Sequence, residues 1–288
     1  MRSWEGYCEA HKELVFPAEP EAIARYLGWL AKRGRSVSTI EVYLAAIAAV
    51  HEHAGLPQTP TRSFVVTETM EGIRRELGTR PRKKDPLTWE RLLEALPPID
   101  ARDLGSIRDR ALLLLGFAMG ARRSELGGLR VGDVKFERKG MRVLLRRSKT
   151  DPRGRGREIG IARQEDEARC PVRALRRWLR SAGLERGLIF RSLTADGGLR
   201  STALSGYRIA CIVKAHAAAA GLEGDFAGHS LRRGFATSAY AAGVPEIVIQ
   251  RRTGHRSVQV LREYADEART YEDEPLTEIA ASARKKRK

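Results

Sequence analysis

Through the first quarter of the chain, apolar residues recur every three or four positions, the period of a helix with one buried face. In PEAIARYLGWLAKRG, residues 20–34, Pro20 suits a first helical turn and Gly34 a stop. In SVSTIEVYLAAIAAVHEHAG, residues 36–55, Ile40, Leu44, Ile47 and Val50 keep near-helical spacing. Ser38 and Glu41 are expected to form a capping box there, with Gly55 closing the helix. TETMEGIRRELG gives a further helix ending at Gly78, so residues 1–78 read as all helix. The periodicity stops at TRPRKKDP, residues 79–86, which has two prolines, a run of bases and no apolar residue. It reads as a linker, and its charge suits a phosphate backbone.

Beyond Pro86 the pattern is mixed. IRDRALLLLGFAMGARRSELGGL predicts a buried helix, a break at Gly120 and a second helix from near Ser124. MRVLLRRSKTDPRGRGREIGIA alternates apolar and polar residues on both sides of a polar, glycine-containing turn, the signature of a β-hairpin. CPVRALRRWLRSAG has Pro171 at a first turn and Gly183 past its end. Helices are expected at about 201–220, 229–242, 245–253 and 257–265, and a short amphipathic one from Pro275 with Leu276, Ile279 and Ala280 on one face. The final SARKKRK reads as disordered. The fold class is mainly α with a small antiparallel β-sheet: a helical domain over 1–80, a linker at about 79–86, and a mixed, mainly helical domain over 87–288.

Charge narrows the function. Lys and Arg number 53 against 36 Asp and Glu, a formal +17. A surface so positive repels itself unless a polyanion partner is present, and nucleic acid is the leading partner. No run approaches the roughly 18 apolar residues that span a bilayer. The start, MRSWEGYCEAHKEL, has no apolar signal core. Cys8, Cys170 and Cys211 are odd in number and far apart, which reads as free thiols in a reducing compartment, hence the cytoplasm. His51 and His53 fall about 200° apart on a helix and cannot share an ion, and no Cys-x-x-Cys or His-Glu-x-x-His occurs, so no metal or other cofactor is expected.

The candidate chemistry gathers in HSLRRGFATSAYAAGVPEIVIQRRTGHRSVQVLREY, residues 229–264. His229 and Arg232 stand at i and i+3, on one helix face. His255 follows the helix stop at Gly254, and Tyr264 lies nine residues further on. Upstream, Arg122 and Glu125 repeat the i, i+3 spacing, and Lys149 lies at the tip of the hairpin. A phosphodiester transition state calls for fixed cationic donors, a nucleophile in line and an acid for the leaving oxygen, and these residues are such parts. Taken singly, each has a plainer role. Glu125 could cap its helix, Tyr264 could be core, Arg123, Arg146 and Arg147 rival their neighbours, and Tyr240 and Tyr271 are other phenols.

Taken in order, they resemble the tyrosine recombinases, the phage integrase family. GARRSEL matches the family's Gly-x-Arg-x-Ser-Glu context at Arg122 and Glu125, and RRSKTDPRGRGREIGI offers its hairpin lysine at Lys149. HSLR matches His-x-Leu-Arg at His229 and Arg232, and GHRSVQVLREY supplies His255 and Tyr264. Position 233 is Arg where many members have His. The resemblance implies a core-binding helical domain and a catalytic domain forming a C-shaped clamp on duplex DNA, with Arg80, Arg82, Lys83 and Lys84 on the backbone. It implies attack by Tyr264 to give a 3′-phosphotyrosyl bond, without ATP or metal. Arg122 and Arg232 would hold the phosphate oxygens, and Lys149 would protonate the leaving 5′-oxygen. His229 would be the base or a proton shuttle, His255 a donor to phosphate and Glu125 an orienting group. It also implies a homotetramer on two recombination sites, with a C-terminal helix docked on its own domain or exchanged between neighbours. With no further arm-binding domain expected, the setting would be a simple recombinase at the nucleoid. Two other readings are a DNA-binding module without chemistry and a type IB topoisomerase.

Overall fold

The computed structural model describes residues 1–55, 59–79, 83–146, 156–255, 257, 259, 261, 262 and 264. Lys149, Arg80, Arg82, Tyr271 and the amphipathic stretch after Pro275 lie outside them. The described chain is mainly helical with small antiparallel sheets, and it divides into two compact units, Met1–Lys83 and Lys84–Lys288.

The first unit holds α1 (Arg2–His11), α2 (Pro20–Lys32), α3 (Val37–His53) and α4 (Phe64–Leu77). Tyr26, Leu27, Leu30, Ile40, Ile47, Val66 and Met70 meet Trp4 and Tyr7 in one core. Ser36, not Ser38, caps α3. Ser36 is the residue with extended backbone, and its Oγ accepts from the Thr39 amide at 3.4 Å. Ser38 already sits in the first turn, and Glu41 pairs with Arg74 of α4 at 2.7 Å instead of reaching back. His51 is fully engaged: its Nε2 accepts from the Ala18 amide, which leaves Nδ1–H to donate to the Ile47 carbonyl.

The second unit holds α5 (Trp89–Glu94), α6 (Leu104–Met119), α7 (Arg123–Gly128), β1 (Val134–Phe136), β2 (Gly140–Leu145), β3 (Arg157–Ala162) and α8 (Pro171–Ser181). These are followed by β4 (Arg191–Leu193), β5 (Leu199–Ala203), α9 (Gly206–Ala219), α10 (Ser230–Ala241) and α11 (Glu246–Thr253). Helix α6 is buried on all sides from Ala111 to Leu115, as a helix apolar all round must be. Asp103 caps it by accepting from the Ser106 amide, and Gly120 ends it in the left-handed conformation. The expected hairpin exists with Val143 opposite Ile159, but β1 adds a third strand on its other side. The helix expected from 201 begins at Gly206, because 199–203 pairs with 191–193 as a separate two-stranded sheet. Part of the expected linker is bound in place. Lys84 pairs with Asp225, and the Asp85 amide donates to the Asp225 carbonyl.

Helix α10 is the hub. The chain entering the unit crosses it closely: the Leu87 amide donates to the Ser230 carbonyl and the Trp89 amide to Ser238 Oγ. Gly234 lies at the crossing, where a Cβ would stand 1.7 Å from the Leu87 carbonyl oxygen. Alanine gains up to about 1 kcal/mol of helix propensity, but backbone cannot yield as a side chain can. Gly234→Ala should therefore lower stability by about 2–3 kcal/mol, read as a reduced thermal midpoint. An unchanged midpoint would mean that the crossing can move.

Candidate active site

The site is built where three elements end. Gly120 closes α6, Gly254 closes α11 in the left-handed region, and α10 begins at Ser230. Helix C-termini leave carbonyls unused and carry partial negative charge. Arg232, only 1% exposed, takes both ends: its Nη1 donates to the Gly120 carbonyl at 2.9 Å and to the Thr253 carbonyl at 2.5 Å. Its Nη2 is buried with no acceptor among the described residues. Burial, then the neighbouring Arg122, push this guanidinium down to about 10, while Glu125 and Tyr264 act the other way.

Arg122 is the residue before α7. Glu125 answers it twice: one carboxylate oxygen accepts from the Arg122 amide at 2.8 Å, the other from its guanidinium at 2.9 Å. The carboxylate is therefore helix cap and ion pair together, and it starts the helix at Arg123 rather than Ser124. Arg122 also donates to the Gly254 carbonyl at 3.2 Å, which joins the two arginines through one turn of backbone. Arg123 is exposed, its stem lying against Gly228. Arg146 is paired with Asp133.

The imidazoles stand in this positive field. Burial, followed by Arg232, Arg122, His229 and Arg157, lowers His255 to about 3. Loss of hydration, then Arg232, Arg233, Arg122 and Arg123, lowers His229 to about 4, although the residue as a whole is exposed. Of the two, His255 is the more firmly held. Thr253 Oγ1 donates to the Ile249 carbonyl at 2.8 Å, so it can only accept from His255 Nδ1–H, 2.7 Å away. The neutral ring then keeps its lone pair on Nε2. Tyr264 is 5% exposed, its ring centre 5.9 Å from that of His255 and 5.5 Å from the guanidinium of Arg233. Gln259, Leu261, Arg262 and Tyr264 are helical.

Arg122, Glu125, His229, Arg232, His255 and Tyr264 thus share one site. Lys149 falls in the segment between β2 and β3, outside the described residues. Of the linker bases, Lys84 is engaged with Asp225. Sequence reasoning missed Arg157, whose Nη2 lies 3.5 Å from Glu125 and whose Nε and Nη1 are buried without an acceptor among the described residues. A Cβ on Gly254 would strike it, so this glycine makes room for the guanidinium. The signal was available. In RGREIGIA, Arg157 is in phase with Ile159 and Ile161, on the buried face of an alternating strand. Thr253 was missed as well, and its role depends on contacts no spacing reveals.

The family model described as the phage integrase family matches residues 87–270. The integrase/recombinase xerD homolog of Selenomonas ruminantium is 37% identical over 276 residues, covering 95% of this chain and 81% of that protein. The crystal structure of XerH site-specific recombinase bound to palindromic difH substrate, a post-cleavage complex, matches with a TM-score of 0.67 at 21% identity, over 97% of this chain and 76% of that one. A lambda integrase dimer bound to a COC′ core site matches with a TM-score of 0.59 at 18% identity, over 91% of this chain and 70% of that one.

The two histidines make stability depend on pH. Both stay neutral well below the ordinary 6.5, so under acid the unfolded chain binds protons that the folded chain refuses. Their contribution is complete above about pH 6.5 and declines as the pH falls toward 4 and then 3. The loss from His255 between pH 6.5 and 5 should be on the order of 1–2 kcal/mol. The loss from His229 should be smaller, since the residue is exposed and water screens it. Urea midpoints across this range should fall less steeply for His255→Gln than for the wild type, and parallel curves would remove His255 from the account.

Proposed function

The chain belongs to the phage integrase family, the tyrosine recombinases, and we propose that it breaks and rejoins duplex DNA at specific sites through Tyr264. The observation that carries this reading is the seating of Arg232 and Arg122 on two helix ends, with donors left over and a phenol beside them. Such fixed donors suit charge that builds on the non-bridging oxygens of a phosphodiester, and they need no reorganisation when it does.

In the proposed reaction the Tyr264 oxygen attacks phosphorus, a 3′-phosphotyrosyl bond forms and the bond to the 5′-oxygen breaks. The phenol proton passes to neutral His229, and Lys149 gives a proton to the departing 5′-oxygen. The phosphotyrosyl bond conserves the energy of the bond it replaces, so a 5′-hydroxyl from the partner strand can reverse the step without ATP or a metal ion. Neutral His255 offers a lone pair, which a phosphate oxygen would repel. An anion drawn in by the arginines raises the imidazole pKa, and protonated Nε2 then donates to it. Glu125 holds Arg122 in place beside Arg232.

Exchange between two duplexes breaks four strands and so calls for four tyrosines, which supports a homotetramer. The helical unit would serve as the core-binding domain and the second as the catalytic domain, with Lys83, Lys84, Arg80 and Arg82 along the DNA backbone between them. Among the described residues no helix is long and apolar enough to cross a membrane, and the proposed place of work is the nucleoid. Sequencing DNA trapped covalently on the protein tests reaction and site together. Binding without any adduct would leave a DNA-binding module, and supercoil relaxation without exchange would favour a topoisomerase.

Tyr264→Phe should keep DNA binding and form no covalent adduct, checked by denaturing gel and by mass mapping of the DNA-linked peptide. An adduct that persists would move the nucleophile to Tyr240 or Tyr271. Arg122→Ala and Arg232→Ala should each slow single-turnover cleavage about a hundredfold or more, with a much smaller loss of binding. Equal losses in both measurements would reduce these arginines to anchors.

A further inference from the structure

A second concentration of positive charge lies on α8, outside the machinery described above. Its residues Val172, Leu175 and Trp178 enter the core. The opposite side presents Arg173, Arg176, Arg177 and Arg180, at i, i+3, i+4 and i+7 on one face. With Arg110 of α6 and Arg163 just past β3, they line a cavity of about 360 Å³. Six guanidinium groups thus face one carboxylate on the cavity wall, that of Glu167, which is paired with Arg173. Asp166, paired with Arg169, also acts on Arg110.

Two of the arginines are built in. Arg110 is 9% exposed and donates to the carbonyls of Pro97 and Ala168, not to a carboxylate. Arg177 donates to the Ala101 carbonyl at 2.5 Å. Arg163, Arg176 and Arg180 are exposed at the mouth, and Arg176 lies 4.5 Å from the Phe136 ring centre. Like charges at i, i+4, here 173/177 and 176/180, destabilise a helix. Burial, then Arg177, also holds Arg110 below its ordinary value. An anion in the cavity relieves both costs, and the planar fork of arginine matches phosphate oxygens.

The cavity is distinct from the catalytic cluster. Arg110 precedes Gly120 by ten residues of helix α6, a rise of about 15 Å. Arg163 follows Arg157 by six residues of extended chain, about 20 Å. Two independent elements therefore put a second positively charged hollow roughly 15–20 Å from Arg232.

We propose that the arginine cavity on α8 is a second phosphate-binding site, occupied by the backbone of duplex DNA at phosphates other than the scissile one. The DNA source rests on the function proposed above, whereas the phosphate chemistry does not. Two measurements test it. Arginines are modified with phenylglyoxal and mapped by peptide mass, with a generic duplex, with inorganic phosphate and with neither. Duplex should protect Arg163, Arg176 and Arg180. The R163Q/R176Q/R180Q variant, its folding checked by thermal unfolding, should lower the slope of log affinity against log salt by about 2–3, near 0.9 for each phosphate that is no longer neutralised. It should still form the Tyr264 adduct. Equal labelling in all three conditions with an unchanged slope overturns the proposal. Protection by inorganic phosphate but not by duplex overturns the DNA source. Absence of a Tyr264 adduct in the wild type, with α8 still protected, counts against the proposed reaction and not against this site.

Discussion

The guanidinium of Arg232, buried between two helix ends, is the contact on which the second unit turns. A buried cation ordinarily needs an anion beside it. Here the compensation comes from the carbonyls of Gly120 and Thr253, at the ends of α6 and α11, where backbone acceptors are unused and the helix dipoles are negative. One side chain therefore offsets part of its own desolvation and fixes where two helices stop relative to a third. Gly254, one residue beyond Thr253, extends the arrangement by accepting from Arg122. A shift in any of the three helices would leave buried polar groups unmatched.

From that constraint the electrostatics follow. Arg122, Arg157 and Arg232 crowd together around one buried carboxylate, Glu125. The balance stays positive, so burial and then this charge keep the nearby imidazoles neutral. A site with excess positive charge and neutral imidazoles has fixed donors ready for an anion, and an anion drawn in raises the imidazoles' affinity for a proton. Both are features that a phosphoryl transfer at an ester of DNA requires. Close backbone approaches hold this in place. Gly234 lets Leu87 cross α10, and Gly254 gives Arg157 its room.

The same arginine-rich composition serves different ends in different places. Around Arg232 the guanidinium groups are oriented by helix ends and by Glu125. On α8 they are oriented by the helix period, four on one face, with Arg110 anchored beneath them. Net charge alone predicts a polyanion partner but cannot say how many places on the protein receive it.

Local sequence determined what depends on local periodicity. The helices of the first unit, the hairpin from 141 to 162 and the stop at Gly120 follow from spacing and from glycine's freedom at positive φ. The pairs Arg122/Glu125 and His229/Arg232 were legible from their three-residue spacing, which sets a helix cap against the third residue of its first turn. The choice between Ser36 and Ser38 was not, since both can cap and the decision rests on which residue keeps extended backbone. Strands β4 and β5 escaped notice because each is short and paired only through the other. Tertiary structure alone decided that Arg232 answers two helix ends, that Thr253 sets the proton on His255 and that Arg157 reaches Glu125. Those interactions join residues 21 to 112 positions apart, or turn on the direction of a single hydroxyl, and no local pattern encodes them.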